Sequence, residues 1–182
     1  MTELNNILKA NENYSKDFKH GNLPTPPSRK LAILACMDAR LTVEDLELKT
    51  GEAHIIRNAG GIATDDAIRS LIISHELLGT EEFLVVNHTD CGMLSFTDEE
   101  LRKKLSEKYK ADTSKLEFHS FPDLEANVKN QIYKIKSTQF LPKDIPIYGF
   151  VYDVRTGKLK QVAEEEEEEI KQKRRISVRT NA

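Results

Sequence analysis

The chain has 182 residues and a formal net charge of -3, with 38% hydrophobic and 31% charged residues. This composition supplies one hydrophobic core under a well-solvated surface, which fits a single domain and excludes a disordered chain. The near balance of charge gives no reason to expect binding to nucleic acid, and no segment reaches the ~18 consecutive apolar residues that membrane-spanning helices need.

The N-terminal residues 1–20 are predicted to form an amphipathic helix. Leu4, Ile7, Leu8 and Tyr14 lie near one face at helical spacing. The same residues lack the basic-then-apolar pattern of a secretory signal, so we expect a cytoplasmic protein. Residues 21–30 contain glycine and three prolines, and we expect a linker there because prolines break helices.

Three short apolar runs have the length and composition of buried strands, and they cover residues 31–35, 53–57 and 83–86. Residues 147–154 and 159–162 flank a turn sequence, which predicts a terminal hairpin. These segments alternate with helical patterns. The sequence therefore predicts an α/β fold with a mainly parallel β-sheet flanked by helices.

Three helices are predicted between these strands. Thr64 is a suitable N-cap for the first, which Gly79 ends, and Thr97 with Glu100 forms a capping box that opens the second. The third is marked by apolar residues at helical spacing, namely Leu124, Val128, Ile132 and Ile135.

The domain is expected to cover residues 1–163, and residues 164–182 form a separate charged C-terminal tail. This tail opens with six glutamates at 164–169 and continues with a basic cluster. A run of like charge is typical of a solvated helical extension or a disordered tail, which is the interpretation we favour. Pairing of the two charged blocks with each other, or with a partner subunit, is the alternative.

A polar motif directly follows each of the first three predicted strands. The three motifs occupy residues 36–40, 57–61 and 88–92 and read CMDAR, RNAGG and HTDCG. The carboxyl ends of parallel strands lie along one edge of a sheet, where ligand sites form. We therefore expect the three motifs to converge in space.

Cys36, His88 and Cys91 form a plausible zinc ligand set within these motifs. Three protein ligands leave a fourth tetrahedral position open, as in catalytic zinc sites, and thiolate with imidazole suits zinc. Asp38 is a possible fourth ligand. Taken alone, Cys36 could be a packing residue, because free cysteine is among the most buried residue types. The chain has only two cysteines, so neither is left over.

Two other cysteine chemistries fit the spacing poorly. Three residues separate Cys36 from Arg40, which is too few for the phosphate-binding loop of a cysteine phosphatase. Cys36 and Cys91 also lie too far apart in sequence for a disulfide oxidoreductase motif.

The motifs resemble those of the β-carbonic anhydrases. CMDAR is similar to the Cys-x-Asp-x-Arg motif of that family, and HTDC is similar to its His-x-x-Cys motif. The segments HIIRNAGG and TDDAIRS also resemble the family, and the likeness runs over about residues 5–162. The short chain and the segment HTDCGMLSFTDEEL resemble a compact subgroup of this family that also contains carbonyl sulfide hydrolases.

The resemblance implies a zinc ion on Cys36, His88 and Cys91, with Asp38 and Arg40 as a paired catalytic dyad. In some family members this aspartate binds zinc at lower pH and closes the site. The family's unit is a homodimer, often assembled further, in which the N-terminal helix packs on the partner. The chain departs from the plant-type pattern of the family, because it has no glutamine just before the first strand that could contact bicarbonate. We therefore expect backbone N–H groups near Gly60 and Gly61 to orient the substrate.

Three functions follow as hypotheses. The first is a zinc-hydroxide enzyme that hydrates CO2 to bicarbonate. The second is a hydrolase that uses the same site to convert carbonyl sulfide, or carbon disulfide, to CO2 and hydrogen sulfide. The third is a non-catalytic zinc-binding protein, against which the Asp38–Arg40 pair argues, since a structural site needs ligands alone.

Overall fold

The computed structural model describes residues 2–42 and 44–162, so the predicted tail 164–182 lies outside the described residues. Four α-helices and five β-strands occur in the described part of the chain, apart from two short 3₁₀ turns. In chain order they are α1 (Glu3–Lys16), β1 (Leu31–Cys36), β2 (Ala53–Asn58), α2 (Asp65–Glu76), β3 (Glu82–His88), α3 (Asp98–Tyr109), α4 (Leu124–Ser137), β4 (Ile147–Tyr152) and β5 (Leu159–Val162).

The five strands form one sheet in the order β2-β1-β3-β4-β5. The first four are parallel, and β5 pairs antiparallel with β4 as the predicted hairpin. Cys36 lies opposite Asn58 in the register, and His88 lies opposite Tyr152. The predicted α/β fold with a mainly parallel sheet flanked by helices is confirmed, and the carboxyl ends of β1, β2 and β3 share one edge.

Helices α2 and α4 pack on one face of the sheet and close the larger hydrophobic core. Phe83 and Val85 of β3 are fully buried there, as are Leu71 of α2 and Val128 of α4. The contact with β4 is close because a Cβ on Gly149 would lie 2.4 Å from a methyl carbon of Val128. A glycine at this strand position lets α4 sit directly against the sheet.

The opposite face of the sheet carries a second hydrophobic cluster, which Leu41 and Leu48 of the β1–β2 connection help to cover. This face is covered less completely. Ile55, Tyr148 and Leu159 remain 37–41% exposed on it. Helix α1 has no buried residue, and the four apolar side chains predicted to share one of its faces are 58–63% exposed.

The predicted N-terminal caps of α2 and α3 are confirmed. Thr64 Oγ1 accepts a hydrogen bond from Ala67 N, and Thr97 and Glu100 form the reciprocal capping box. The N-terminal helix is shorter than the predicted range 1–20, because it ends at Lys16 and Asp17 leaves the helical conformation as its C-cap. In the described residues, no helix combines the length and apolar character needed to cross a membrane.

Candidate metal centre

The ends of β1 and β3 bring the three predicted ligands together. Cys36 closes β1, His88 closes β3, and Cys91 follows three residues later. The two Sγ atoms and a ring nitrogen of His88 all lie within 4.8 Å of one another. All three side chains are buried. The predicted convergence of the first and third motifs is therefore observed.

His88 presents a free ring nitrogen to this cluster. Its Nδ1 donates a hydrogen bond to the Thr89 carbonyl oxygen at 2.8 Å, because a carbonyl can only accept. In the neutral imidazole the proton therefore resides on Nδ1, and Nε2 carries the lone pair. Among residues 2–42 and 44–162, Nε2 is the one buried side-chain nitrogen or oxygen without a hydrogen-bond partner. A metal ion would satisfy this atom.

The two cysteines are free and share a hydrogen bond. That bond with Cys91 lowers the pKa of the Cys36 thiol, although burial opposes the shift, and the same bond together with burial raises the pKa of the Cys91 thiol. Contact with His88 and backbone hydrogen bonds from Asp38 and Gly60 act in the same direction as the bond with Cys91. The lowered pKa favours the thiolate form of Cys36, which is the form that binds metals.

The donor set fits zinc. Two sulfurs and one imidazole nitrogen form a Cys2His set, and zinc takes such sets in catalytic sites with one position left open. The His88 ring is also held in place, because its Nδ1–H donates to a backbone carbonyl oxygen, which fixes the orientation of the ring. Cys36, His88 and Cys91 are therefore the residues that would hold the ion.

Asp38 and Arg40 form a two-point ion pair beside the cluster. Arg40 Nε donates to Asp38 Oδ1 at 2.9 Å, and Arg40 Nη2 donates to Oδ2 at 2.8 Å. The hydrogen bonds from the Arg40 guanidinium hold the pKa of Asp38 far below its usual range, against the effect of partial burial. Asp38 Oδ2 lies 3.7 Å from His88 Nε2, so the carboxylate borders the ligand atoms.

Two residues that the sequence did not single out support this pair. Asp90 accepts a hydrogen bond from Arg40 Nη1 at 2.8 Å, and its carbonyl oxygen accepts one from Nη2 at 3.0 Å. Arg57 donates to the carbonyl oxygens of Cys36 and Asp38 at 3.0 and 2.5 Å. Both residues lie inside the motifs at the strand ends, and this position was the only sequence signal that they belong to the site. Their hydrogen-bond partners could not be predicted, because these depend on the backbone geometry of the loops.

The N–H groups of Gly60 and Gly61 have partners within the protein. Gly60 N lies 3.4 Å from Cys36 Sγ and donates to it, and Gly61 N donates to the Asn58 carbonyl oxygen at 3.2 Å. Both glycines have positive φ angles, of 81° and 60°, which favours glycine. Their predicted role in orienting substrate stays a prediction. The geometry links Gly60 to Cys36, one of the candidate metal ligands.

Comparison with known proteins shows similarity to carbonic anhydrases and to a carbon disulfide hydrolase. The family model described as carbonic anhydrase matches residues 31–159. Beta-carbonic anhydrase 1 of Mycobacterium tuberculosis is 46% identical over 163 residues, which cover 89% of this chain and 99% of that protein. Carbon disulfide hydrolase of Saccharolobus solfataricus is 37% identical, over 85% of this chain and 86% of that protein.

Among solved structures, carbonic anhydrase from Streptococcus mutans superposes with a TM-score of 0.85 at 42% sequence identity. The superposition covers 90% of this chain and 99% of the other. The shared fold therefore extends over nearly the whole of the compared protein.

Proposed function

The chain belongs to the β-carbonic anhydrase family, and we propose that it hydrates CO2 to bicarbonate with a zinc ion held by Cys36, His88 and Cys91. The observation that carries this proposal is the buried ligand cluster with the unpartnered Nε2 of His88 beside the Asp38 carboxylate. A structural zinc site would need no paired aspartate and arginine at its open side.

Zinc, when bound, supplies a Lewis acid that lowers the pKa of a water molecule so that hydroxide is available near neutral pH; carbonic anhydrase is the standard example of this effect. The residues of the chain orient the reacting water. Asp38 is ionised, and its Oδ2 lies at the edge of the ligand cluster. It accepts a hydrogen bond from the reacting water and thereby directs an oxygen lone pair towards the carbon of CO2.

Arg40 keeps Asp38 in the position that this step needs. Two parallel N–H···O bonds fix the plane of the carboxylate as well as its charge. The backbone N–H of Arg40 also donates to Asp38 Oδ1 at 2.9 Å. A carboxylate held by three donors is turned towards Arg40, and in this orientation it would leave room for water and substrate at a metal ion held by the three ligands.

The substitution Asp38→Ala tests this role. The variant should keep its zinc, because the three ligands are unchanged, and should lose about 100-fold or more in kcat/KM for CO2 hydration measured by stopped flow. The same substitution at Asp66, which is exposed and pairs with Arg69, is the control and should leave the rate unchanged. Full activity of a zinc-loaded Asp38→Ala protein contradicts the orienting role.

Hydrolysis of carbon disulfide, or of carbonyl sulfide, is the second candidate function. It is supported by the 37% identity to the Saccharolobus solfataricus hydrolase. The same water, ligands and Asp38 would serve, since all three substrates are linear molecules with an electrophilic carbon. The 46% identity to the mycobacterial β-carbonic anhydrase favours CO2 as the substrate. Release of sulfide from the two sulfur compounds measures the alternative directly.

We further propose that the chain works as a homodimer or a larger homo-oligomer. Helix α1 exposes an apolar stripe, made of Leu4, Ile7, Leu8 and Tyr14, while the second face of the sheet exposes three more apolar side chains. Contiguous exposed apolar surface of this kind marks interaction sites. A second copy of the chain offers both surfaces at once, so each α1 can cover the partner's sheet face.

A reducing compartment such as the cytoplasm is the proposed location. Both cysteines are free, and the proposed zinc site needs both of them as thiolates. Oxidation of either cysteine would remove a ligand, and reducing conditions prevent that.

A further inference from the structure

A chain of three buried amide side chains connects α4 to the Gly60 loop. Every hydrogen bond in this chain donates in the same direction, from Ala63 towards the Gly60 carbonyl. Gln131 Oε1 accepts from Ala63 N at 2.9 Å, Gln131 Nε2 donates to Asn127 Oδ1 at 2.7 Å, Asn127 Nδ2 donates to Asn87 Oδ1 at 2.6 Å, and Asn87 Nδ2 donates to the Gly60 carbonyl oxygen at 3.1 Å. We call these three side chains, of Gln131, Asn127 and Asn87, the amide relay.

The amide relay lies where apolar side chains would be expected. Asn87 and Gln131 are each 1% exposed, and Asn127 is 6% exposed. Burying an amide costs free energy unless its hydrogen bonds are satisfied, and replacing a satisfied pair by apolar groups is often nearly neutral. Stability alone therefore gives little reason for three linked amides. Their directional hydrogen bonds define where the Gly60 loop sits.

The loop itself lies between the relay and the first metal ligand. A Cβ on Gly61 would lie 2.9 Å from Asn87 Nδ2 and 3.0 Å from Cys36 N, so the backbone passes through a narrow gap. Asn58 closes the other side, because its amide bonds both the N–H and the carbonyl of Ile62 at 2.7 Å. The Gly60 N–H then points at Cys36 Sγ, 3.4 Å away.

We propose that Asn87 is a positioning residue that holds the Gly60 N–H against the sulfur of Cys36 and so tunes the metal. The role rests on the proposed zinc enzyme and deepens it. An N–H donated to a thiolate withdraws electron density from the sulfur. The sulfur then gives less charge to the ion, which retains more of the Lewis acidity that two thiolate ligands would otherwise reduce.

The main test is the substitution Asn87→Leu, which keeps the branched skeleton of the side chain and removes the donor. In cobalt-loaded protein, the thiolate-to-cobalt charge-transfer absorption should move to longer wavelength, because a sulfur without its hydrogen bond is easier to oxidise. In zinc-loaded protein, the midpoint of kcat/KM against pH should rise by roughly half a unit to one unit, the scale of one hydrogen bond. Asn127→Leu, which frees the Asn87 amide, should shift both readouts in the same direction by less.

Val85→Ala is the matched control. Val85 is fully buried on the same strand and face as Asn87. This variant should lose stability and leave both readouts at their wild-type values. A folded Asn87→Leu or Asn127→Leu protein with wild-type absorption and midpoint overturns the proposal, and so does a Val85→Ala protein that shows the same shifts.

Cadmium-loaded wild type gives a test that needs no variant. Scalar coupling between cadmium and the Gly60 amide proton is expected across the N–H···S bond, and its absence overturns the proposal. The cobalt and cadmium readouts do not depend on CO2 turnover. If wild type lacks CO2 hydration but shows the coupling, and Asn87→Leu still shifts the cobalt absorption, the proposed function is contradicted and the positioning role remains supported.

Discussion

Arg40 binds both carboxylate oxygens of Asp38, at 2.9 and 2.8 Å, and so turns the carboxylate that lies 3.7 Å from His88 Nε2. Arg40 is itself held from the other side by Asp90, which precedes Cys91. The guanidinium thus joins the segment after the first cysteine to the segment before the second. In the proposed mechanism, the orientation of the reacting water depends on this arrangement.

Arg40→Ala should lower kcat/KM for CO2 hydration by about 100-fold, because the freed Asp38 carboxylate can rotate away from the reacting water or towards the metal. Zinc content should stay near one ion per chain, since no ligand changes. Arg69→Ala is the control, as Arg69 pairs with Asp66 on the exposed side of α2. Unchanged activity in Arg40→Ala would show that Asp38 needs no partner.

His88→Ala should lose zinc. The substitution removes the nitrogen that has no other partner in the described residues, and two sulfurs alone bind zinc weakly. Metal analysis after dialysis against a mild chelator measures the loss, with circular dichroism to confirm the fold. His119→Ala changes a histidine outside the ligand cluster and should retain zinc. Retention by His88→Ala at the wild-type level contradicts the assigned ligand set.

The convergence of the candidate ligands could be predicted from the sequence because their motifs lie at strand ends, whereas the pairing of Asp38 with Arg40 was implied by the resemblance to the family. Cys36 and His88 lie at the ends of apolar strands, Cys91 follows His88 by three residues, and parallel strands bring such ends together. The amide relay was not predicted. Asn87 ends an apolar strand, and Asn127 and Gln131 lie four residues apart on α4, but such residues could equally face solvent. Their pairing depends on how α4 packs, which sequence periodicity does not specify.

The contact of the Gly60 N–H with Cys36 Sγ could not be predicted from the sequence either. A glycine pair after a strand indicates a tight turn, which the positive φ angles bear out. The direction of one N–H group depends on the whole loop, including Asn58 and Asn87. The length of the N-terminal helix was overestimated because apolar spacing continues to Phe18, while the helical hydrogen bonds end near Lys16.

Asp98→Asn should destabilise the fold at neutral pH by roughly 2 kcal/mol. Partial burial alone would raise the pKa of Asp98, but the hydrogen bonds from Ser120, Phe118 and His119 outweigh it and hold this pKa well below the usual range. The carboxylate accepts four of them, at 2.7–3.1 Å, and so ties the start of α3 to residues 118–120. Asparagine would replace one acceptor oxygen by a donor.

The stabilisation by Asp98 depends on pH in a defined direction. A folded-state pKa below the unfolded value of about 3.9 means that the contribution is complete above about pH 5 and is lost as pH falls towards the folded-state value. The difference in unfolding free energy between wild type and Asp98→Asn should therefore be smaller near ~pH 3.5 than at neutral pH. Urea unfolding at fixed protein concentration measures it. A difference independent of pH contradicts the assignment.

Ile7→Glu should weaken the proposed homo-oligomer. Ile7 is 63% exposed on α1, in the middle of the apolar stripe, so a charge there costs little in the single chain and much in an interface. Light scattering after size exclusion should show a lower mass than wild type. Asn13→Glu places the same charge on the opposite side of α1 and should leave the mass unchanged. An identical mass for Ile7→Glu contradicts a role for this stripe in assembly.

The proposed activity is tested most directly by two assays on one zinc-loaded preparation, namely stopped-flow CO2 hydration and sulfide release from carbon disulfide and carbonyl sulfide. We expect fast CO2 hydration and slow release of sulfide. Efficient sulfide release with weak CO2 hydration would contradict CO2 as the substrate and favour the hydrolase. If neither activity occurs with zinc bound at one ion per chain, the site is not a catalytic centre of this class.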